Sequence, residues 1–192
     1  MQACRQILEE EGAGRLTTNR IAEVAGVTIG SLYQYFPNKE AILADLFAAE
    51  FAATTDRICR ETTPRVVAQA DVSLRATLRE LIRVTAELHL RYLRLHGEFY
   101  REYHDFFDFH SQVDSHMTRV YRQPSWGEWL PELLQKYRHE IAHPDLERAA
   151  FLTANLIERL LVAALEDRPE WLEDEAYLDS IETIVMNFLG SV

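Results

Sequence analysis

Apolar side chains recur at three- and four-residue steps through almost all of this chain, and the residues that break the pattern are few and far apart. That period places apolar groups on one face of a helix and excludes the strict alternation of a half-buried strand. Only 7 glycines and 6 prolines occur in 192 residues, little turn material for a β-sandwich. The expected fold class is all-α, and the length suits one or two domains with a real core.

The breaks divide the chain. Gly12 and Gly14 close a short first helix, and Thr17 and Thr18 are good N-caps for a second carrying Ile21, Ala22 and Ala25. Gly26 suits a left-handed C-terminal position, Thr28 can cap a third helix, and Pro37 stops it. Asn38 caps a fourth, with Ile42, Leu43, Leu46, Phe47 and Phe51 as its stripe. "ETTPRVVAQADVS", 61–73, reads as a loop-like seam. A long run over 74–96 follows, then Gly97, an aromatic helix over 98–111, a shorter one to Arg122, and the break "QPSWG". Helices near 128–142, 145–166 and 170–189 complete the pattern.

Composition narrows the setting. Apolar residues make up 47% and charged residues 27%, ordinary for a globular protein. Cys4 and Cys59 cannot form a disulfide framework and lack metal-ligand spacing, so no metal and no cofactor are expected and a cytoplasmic location is. No apolar run approaches a membrane span, "LLVAAL" being among the longest, and the first residues lack a signal-peptide core. The net charge of −11 argues against nucleic acid if taken globally, but Arg15, Arg20 and Lys39 face Glu23 alone between residues 15 and 39. That segment is a cationic island on an acidic body.

Two short helices joined by a tight turn at Gly26 have the helix-turn-helix form. In the second, Leu32 and Phe36 share an inward face, which leaves Thr28, Ser31, Gln34 and Tyr35 largely on the other. Hydroxyls and an amide reach base edges, and phenols donate to phosphates. Gly30 lets the backbone approach a DNA strand, and Lys39 beside the Asn38-capped helix start offers a further phosphate site.

"LTTNRIAEVAGVTIGSLYQYFPNKEAIL", 16–43, resembles the DNA-binding signature of the TetR family of bacterial repressors. Matching positions include Leu16, Thr18, Ile21, Ala22, Ala25, Gly26, Val27, Gly30, Leu32, Tyr33, Tyr35, Phe36, Lys39, Glu40 and Leu43. The resemblance implies a DNA-binding domain over 1–47, and a helical ligand-binding and dimerisation domain over 48–192. It further implies a homodimer on a palindromic double-stranded operator, released by a small-molecule effector. Thr28, Ser31 and Gln34 would face bases, while Thr18, Tyr33, Tyr35 and Lys39 would hold phosphates. Only "QACRQILEEEG" precedes Gly12, so the first helix is expected to be a turn or more shorter than the family pattern and less basic.

Two other features compete for a role. "HEIAH", 139–143, matches the H-E-x-x-H zinc-hydrolase pattern, with His139 and His143 as ligands and Glu140 as base. Pro144 ends the helix at once, and two imidazoles near a helix C-terminus are the simpler explanation. In "HGEFYREYHDFFDFH", 96–110, Phe99, Tyr103, Phe106 or Phe107, and His110 recur along one helix. They are either core or the wall of a cavity for a hydrophobic or aromatic effector, with Trp126 at its rim. A helical interaction module without DNA binding is the remaining alternative.

The last two helices are too apolar for one-sided burial, so each is expected to bury a second face against a partner copy. Leu152, Leu156 and Leu160 on one, and Ile181, Val185 and Phe188 on the other, are the expected dimer interface.

Overall fold

A computed structural model describes residues 2–103 and 126–190, and these are helical with no strand among them. Helix α1 (Gln2–Glu11) buries Cys4 and Ile7 and ends at Gly12, whose N–H donates to the Ile7 carbonyl. Burial raises the Cys4 thiol above its ordinary pKa. A 3₁₀ turn over Ala13–Arg15 leads to α2 (Thr18–Ala25) and α3 (Ile29–Tyr35).

Helix α4 (Lys39–Gln69) begins where Asn38 Oδ1 accepts the Ala41 N–H at 2.8 Å. It runs on through the expected seam, with Pro64 inside it. A proline removes one helical hydrogen bond. Here the surrounding turns hold the segment: Thr62, Thr63 and Val66 are buried, and Arg65 reaches both Glu80 and Glu87 at 2.7 Å. Arg91 adds Glu61 at 2.5 Å. The bend is confined to residues 70–73, where the Ala70 carbonyl accepts from Lys136 Nζ and the Tyr137 hydroxyl.

Helix α5 (Leu74–Tyr103) starts at Ser73, whose hydroxyl accepts the Ala76 N–H, and is broken at Gly97 (φ 51, ψ −130), the one point where the long run required a glycine. Its first turns hold a buried charge: Glu182, 2% exposed, accepts from Arg75 and Arg79 at 2.5 Å each. Helix α6 (Trp126–Lys136) is shorter than expected, because a 3₁₀ turn over Arg138–Glu140 and an extended Ile141 replace its last turn.

Helix α7 (Leu146–Asp167) is capped by Asp145, and α8 (Glu175–Leu189) by Asp174. Between them, Pro169–Glu173 forms a 3₁₀ turn, so α8 starts later than its apolar pattern suggested. Helix α8 ends at Gly190 (φ 68), and the Leu189 carbonyl there accepts the N–H groups of Ala142 and His143 at 3.0 and 3.3 Å.

The chain forms two compact units. One comprises Met1–Thr54 with Leu93–Phe109, the other Thr55–Tyr92 with His110–Val192. Among the described residues, no helix is long and apolar enough to cross a membrane.

Candidate nucleic-acid interface

The two short helices are defined by their ends rather than by their length. Thr17 Oγ1 accepts the Arg20 N–H at 3.2 Å and starts α2. At the other end, Gly26 (φ 66, ψ 29) donates to the Glu23 carbonyl and Val27 donates to the Ala22 carbonyl. That paired pattern is the Schellman turn, which needs a left-handed residue where glycine sits. Two residues later Thr28 caps α3, its Oγ1 accepting the Ser31 N–H at 3.1 Å. The chain therefore leaves one helix and enters the next within three residues.

Helix α3 buries Leu32 and half-buries Phe36, as their spacing required. The opposite face is open: Gln34 is exposed, Tyr33 is half-exposed and Tyr35 is 81% exposed. The Thr28 and Ser31 hydroxyls lie 2.9 Å apart and bond to each other. Thr28 is thus both a helix cap and part of the outward polar pair. Beyond its chain neighbours and the backbone of its own helix, the nearest atom to a Cβ built at Gly30 is Thr28 Oγ1 at 3.9 Å, so its surroundings are open. Thr18 opens α2 with the Tyr33 hydroxyl 3.5 Å from its own, and Lys39 opens α4. The residues expected to contact DNA therefore all lie on the N-terminal unit, with Thr18 beside Tyr33 and Thr28 beside Ser31.

Two features of this surface were missed. Val27 and Ile29 flank Thr28 and are exposed, apolar groups suited to contact with thymine methyls. Val27 has only Gly30 and Ser31 at the three- and four-residue steps, which is the signal that marks it, whereas Ile29 is masked by Leu32 three residues on. The second is Arg20, counted among the island's cations. Its guanidinium lies against Glu11 of α1, with Nη2 to Oε1 at 2.5 Å, and against Glu23 at 2.8 Å. Hydrogen bonding to Arg20 holds the Glu11 carboxyl below the usual carboxylate range. The local positive excess is correspondingly smaller than the sequence tally.

The H-E-x-x-H segment takes another form. Glu140 ends a 3₁₀ turn and Ile141 is extended, so His139 and His143 are not one α-helical turn apart. His139 is exposed, and His143 Nδ1 accepts the Asp145 N–H at 3.2 Å with its ring 5.4 Å from Phe188. Among the described residues, no group of His, Cys, Asp or Glu is placed to hold a metal ion. The segment instead ties down the end of α8.

Of the expected cavity wall, Phe106, Phe107 and His110 lie outside the described residues. Phe99 and Tyr103 lie on α5 and Trp126 opens α6, described as helix backbone only. The expected dimer face divides. Leu152 is exposed, and Leu156, Leu160 and Phe188 are half-buried. Ile181 and Val185 are 1% and 0% exposed within the single chain, so they belong to its own core. Phe151, next to Leu152 on α7, and Ile184 on α8 are exposed as well.

A capped second helix set by a Schellman turn, with its polar and phenolic face open, defines a helix-turn-helix protein. Residues 1–46 match the family model of bacterial regulatory proteins of the tetR family. A curated relative, the fatty acid metabolism regulator protein of Bacillus subtilis (strain 168), is 30% identical over 74 residues, 38% of this chain. The match spans 38% of that relative's length as well. A tetR family transcription regulator from Shewanella sp. PV-4 has the same fold, with a TM-score of 0.54 at 18% identity, over 100% of this chain and 95% of that one. Thermus thermophilus FadR, a TetR family repressor solved with lauroyl-CoA, gives 0.50 at 19% identity over 98% and 92%. Residues 1–46 therefore carry the DNA-binding segment typical of the tetR family of bacterial regulatory proteins.

Proposed function

We propose that the chain is a ligand-responsive transcriptional repressor, not an enzyme, acting in the cytoplasm on a palindromic operator. The observation that carries this reading is the open face of α3 between two fixed helix ends. Thr28, Ser31 and Gln34 read bases, Thr18, Tyr33, Tyr35 and Lys39 hold phosphates, and Gly30 admits a close backbone approach. Residues 1–47 form the DNA-binding domain and 48–192 the effector and dimerisation domain. The effector is a hydrophobic or aromatic small molecule contained by Phe99, Tyr103, Phe106, Phe107, His110 and Trp126. Because FadR was solved with lauroyl-CoA, and the curated relative regulates fatty acid metabolism, long-chain acyl thioesters are the first effectors to test.

The purified protein should retard a palindromic fragment from DNA adjoining its own gene, and an acyl-CoA should release it. Gln34→Ala should relax base preference by about 1–3 kcal/mol per lost bidentate contact. Lys39→Ala should weaken binding to all sequences and lower the salt slope by about 1. A Lys39→Ala protein with altered base preference but an unchanged slope would overturn this division of roles.

The dimer face is assigned to Phe151, Leu152, Leu156, Leu160, Ile184 and Phe188, without Ile181 and Val185. Exposed apolar groups on neighbouring helices support it. A two-fold pair would present recognition helices about 34–36 Å apart. Light scattering should give twice the 22.3 kDa chain mass, and a stable monomer would remove the interface.

A further inference from the structure

Arg20 stands two residues beyond Thr18 on α2, about 200° around the helix, and so points away from the side that Thr18 shares with Tyr33. Its Nε lies 3.0 and 3.1 Å from the two oxygens of Glu11, and its Nη2 lies 2.5 Å from Oε1. Its Nη1 lies 2.8 Å from Glu23 Oε2. One planar fork thus joins the last residue of α1 to two turns of α2, across the turn that contains Gly12 and Gly14.

That fork supplements a small apolar junction, in which Cys4 and Ile7 of α1, Leu16 of the connecting turn, and Ile21 and Ala22 of α2 are buried. The Schellman turn and the Thr28 cap then pass any rotation of α2 directly to α3, since three residues separate the two helices. We propose that Arg20 is a positioning residue for DNA recognition: it locks α2 onto the end of α1, and so sets the angle of the recognition helix without touching a phosphate. The proposal rests on the operator-binding reading above. It needs the fork of an arginine, which a lysine's point charge does not reproduce. It also accounts for an acidic α1 end beside a DNA-binding surface: Glu11 is there for Arg20.

Glu11→Gln separates this role from its rival by sign. If Arg20 positions α2, the substitution weakens operator binding about two- to five-fold, the scale of an exposed ion pair, and leaves the salt slope unchanged. Arg20→Lys, which keeps the charge but loses the fork, does the same. If Arg20 were instead a phosphate contact masked by Glu11, Glu11→Gln would tighten binding and steepen the slope by about 0.9 per subunit. Fluorescence anisotropy across a salt series reads both quantities. Amide hydrogen exchange of the DNA-free protein gives a second readout: both variants should speed exchange in α2. Tighter binding, or unchanged affinity with unchanged exchange, overturns the proposal. Failure of the wild-type protein to bind any operator fragment would instead remove the operator reading, while exchange still reports whether the clasp orders α2.

Discussion

Helix α3 has seven residues and buries Leu32, whereas α7 has 22 and buries eight side chains, from Ala149 to Leu165. A seven-residue helix cannot hold itself in water, because nucleation costs more than so few hydrogen bonds return. Helix α3 exists because its ends are specified: the Schellman turn before it, the Thr28 cap, and Phe36 and Pro37 after it. Helix α7 exists because its apolar volume has somewhere to go. The first is sensitive to hydrogen-bond chemistry at single positions, the second to the loss of methylene groups. A surface that must remain open for DNA cannot be stabilised by burial, so end conditions take over that task.

The largest test of this contrast is in the core. Leu165→Ala should cost about 2–5 kcal/mol in urea denaturation, since the side chain is fully buried and leaves a cavity. Leu32→Ala, on a helix with one buried side chain, should cost clearly less. Equal losses would break the comparison.

The two glycines that end helices sharpen it. Gly26 (φ 66) has nothing within 4 Å of a built Cβ, so Gly26→Ala should cost only the left-handed strain of about 1–2 kcal/mol. At Gly190 (φ 68) the same Cβ would lie 2.8 Å from Ala142 Cβ, so Gly190→Ala should add an overpacking cost of about 1–3 kcal/mol. Thermal unfolding of the pair decides it, and an identical shift in both would show that Ala142 gives way freely.

The smallest global effect should come from the cap. Thr28→Ala removes the acceptor for the Ser31 N–H and should cost about 1 kcal/mol. Its effect should concentrate in α3, where hydrogen exchange should quicken while α7 is unchanged. Uniform acceleration across both helices would mean that they do not differ in kind.

Much of the local structure of the N-terminal unit was legible because it is written in short-range chemistry. Thr17, Gly26, Thr28, Asn38 and Gly97 each act within a few residues, and each does what its local context required. What failed depended on distant partners. Pro64 marked a break by propensity, yet packing and the Arg65 ion pairs carry α4 through it. Arg20 counted as a free cation because Glu11, nine residues earlier, is brought to it only by the fold. In α8 the pattern gave two apolar sides without showing which was inner; the packing draws in Ile181 and Val185 and leaves Ile184 outside.

The doubled duty of Thr28 limits how such a regulator diverges. Side chains that also accept the Ser31 amide keep this cap, so Ser, Thr, Asn and Asp should be favoured at this position. Gln34, exposed on the same face, bears no such structural obligation. On the proposed base contacts, operators of duplicated copies should therefore diversify first at the steps under Gln34, while those under Thr28 change slowly, and a saturation-mutagenesis library selected for operator binding would display that unequal tolerance.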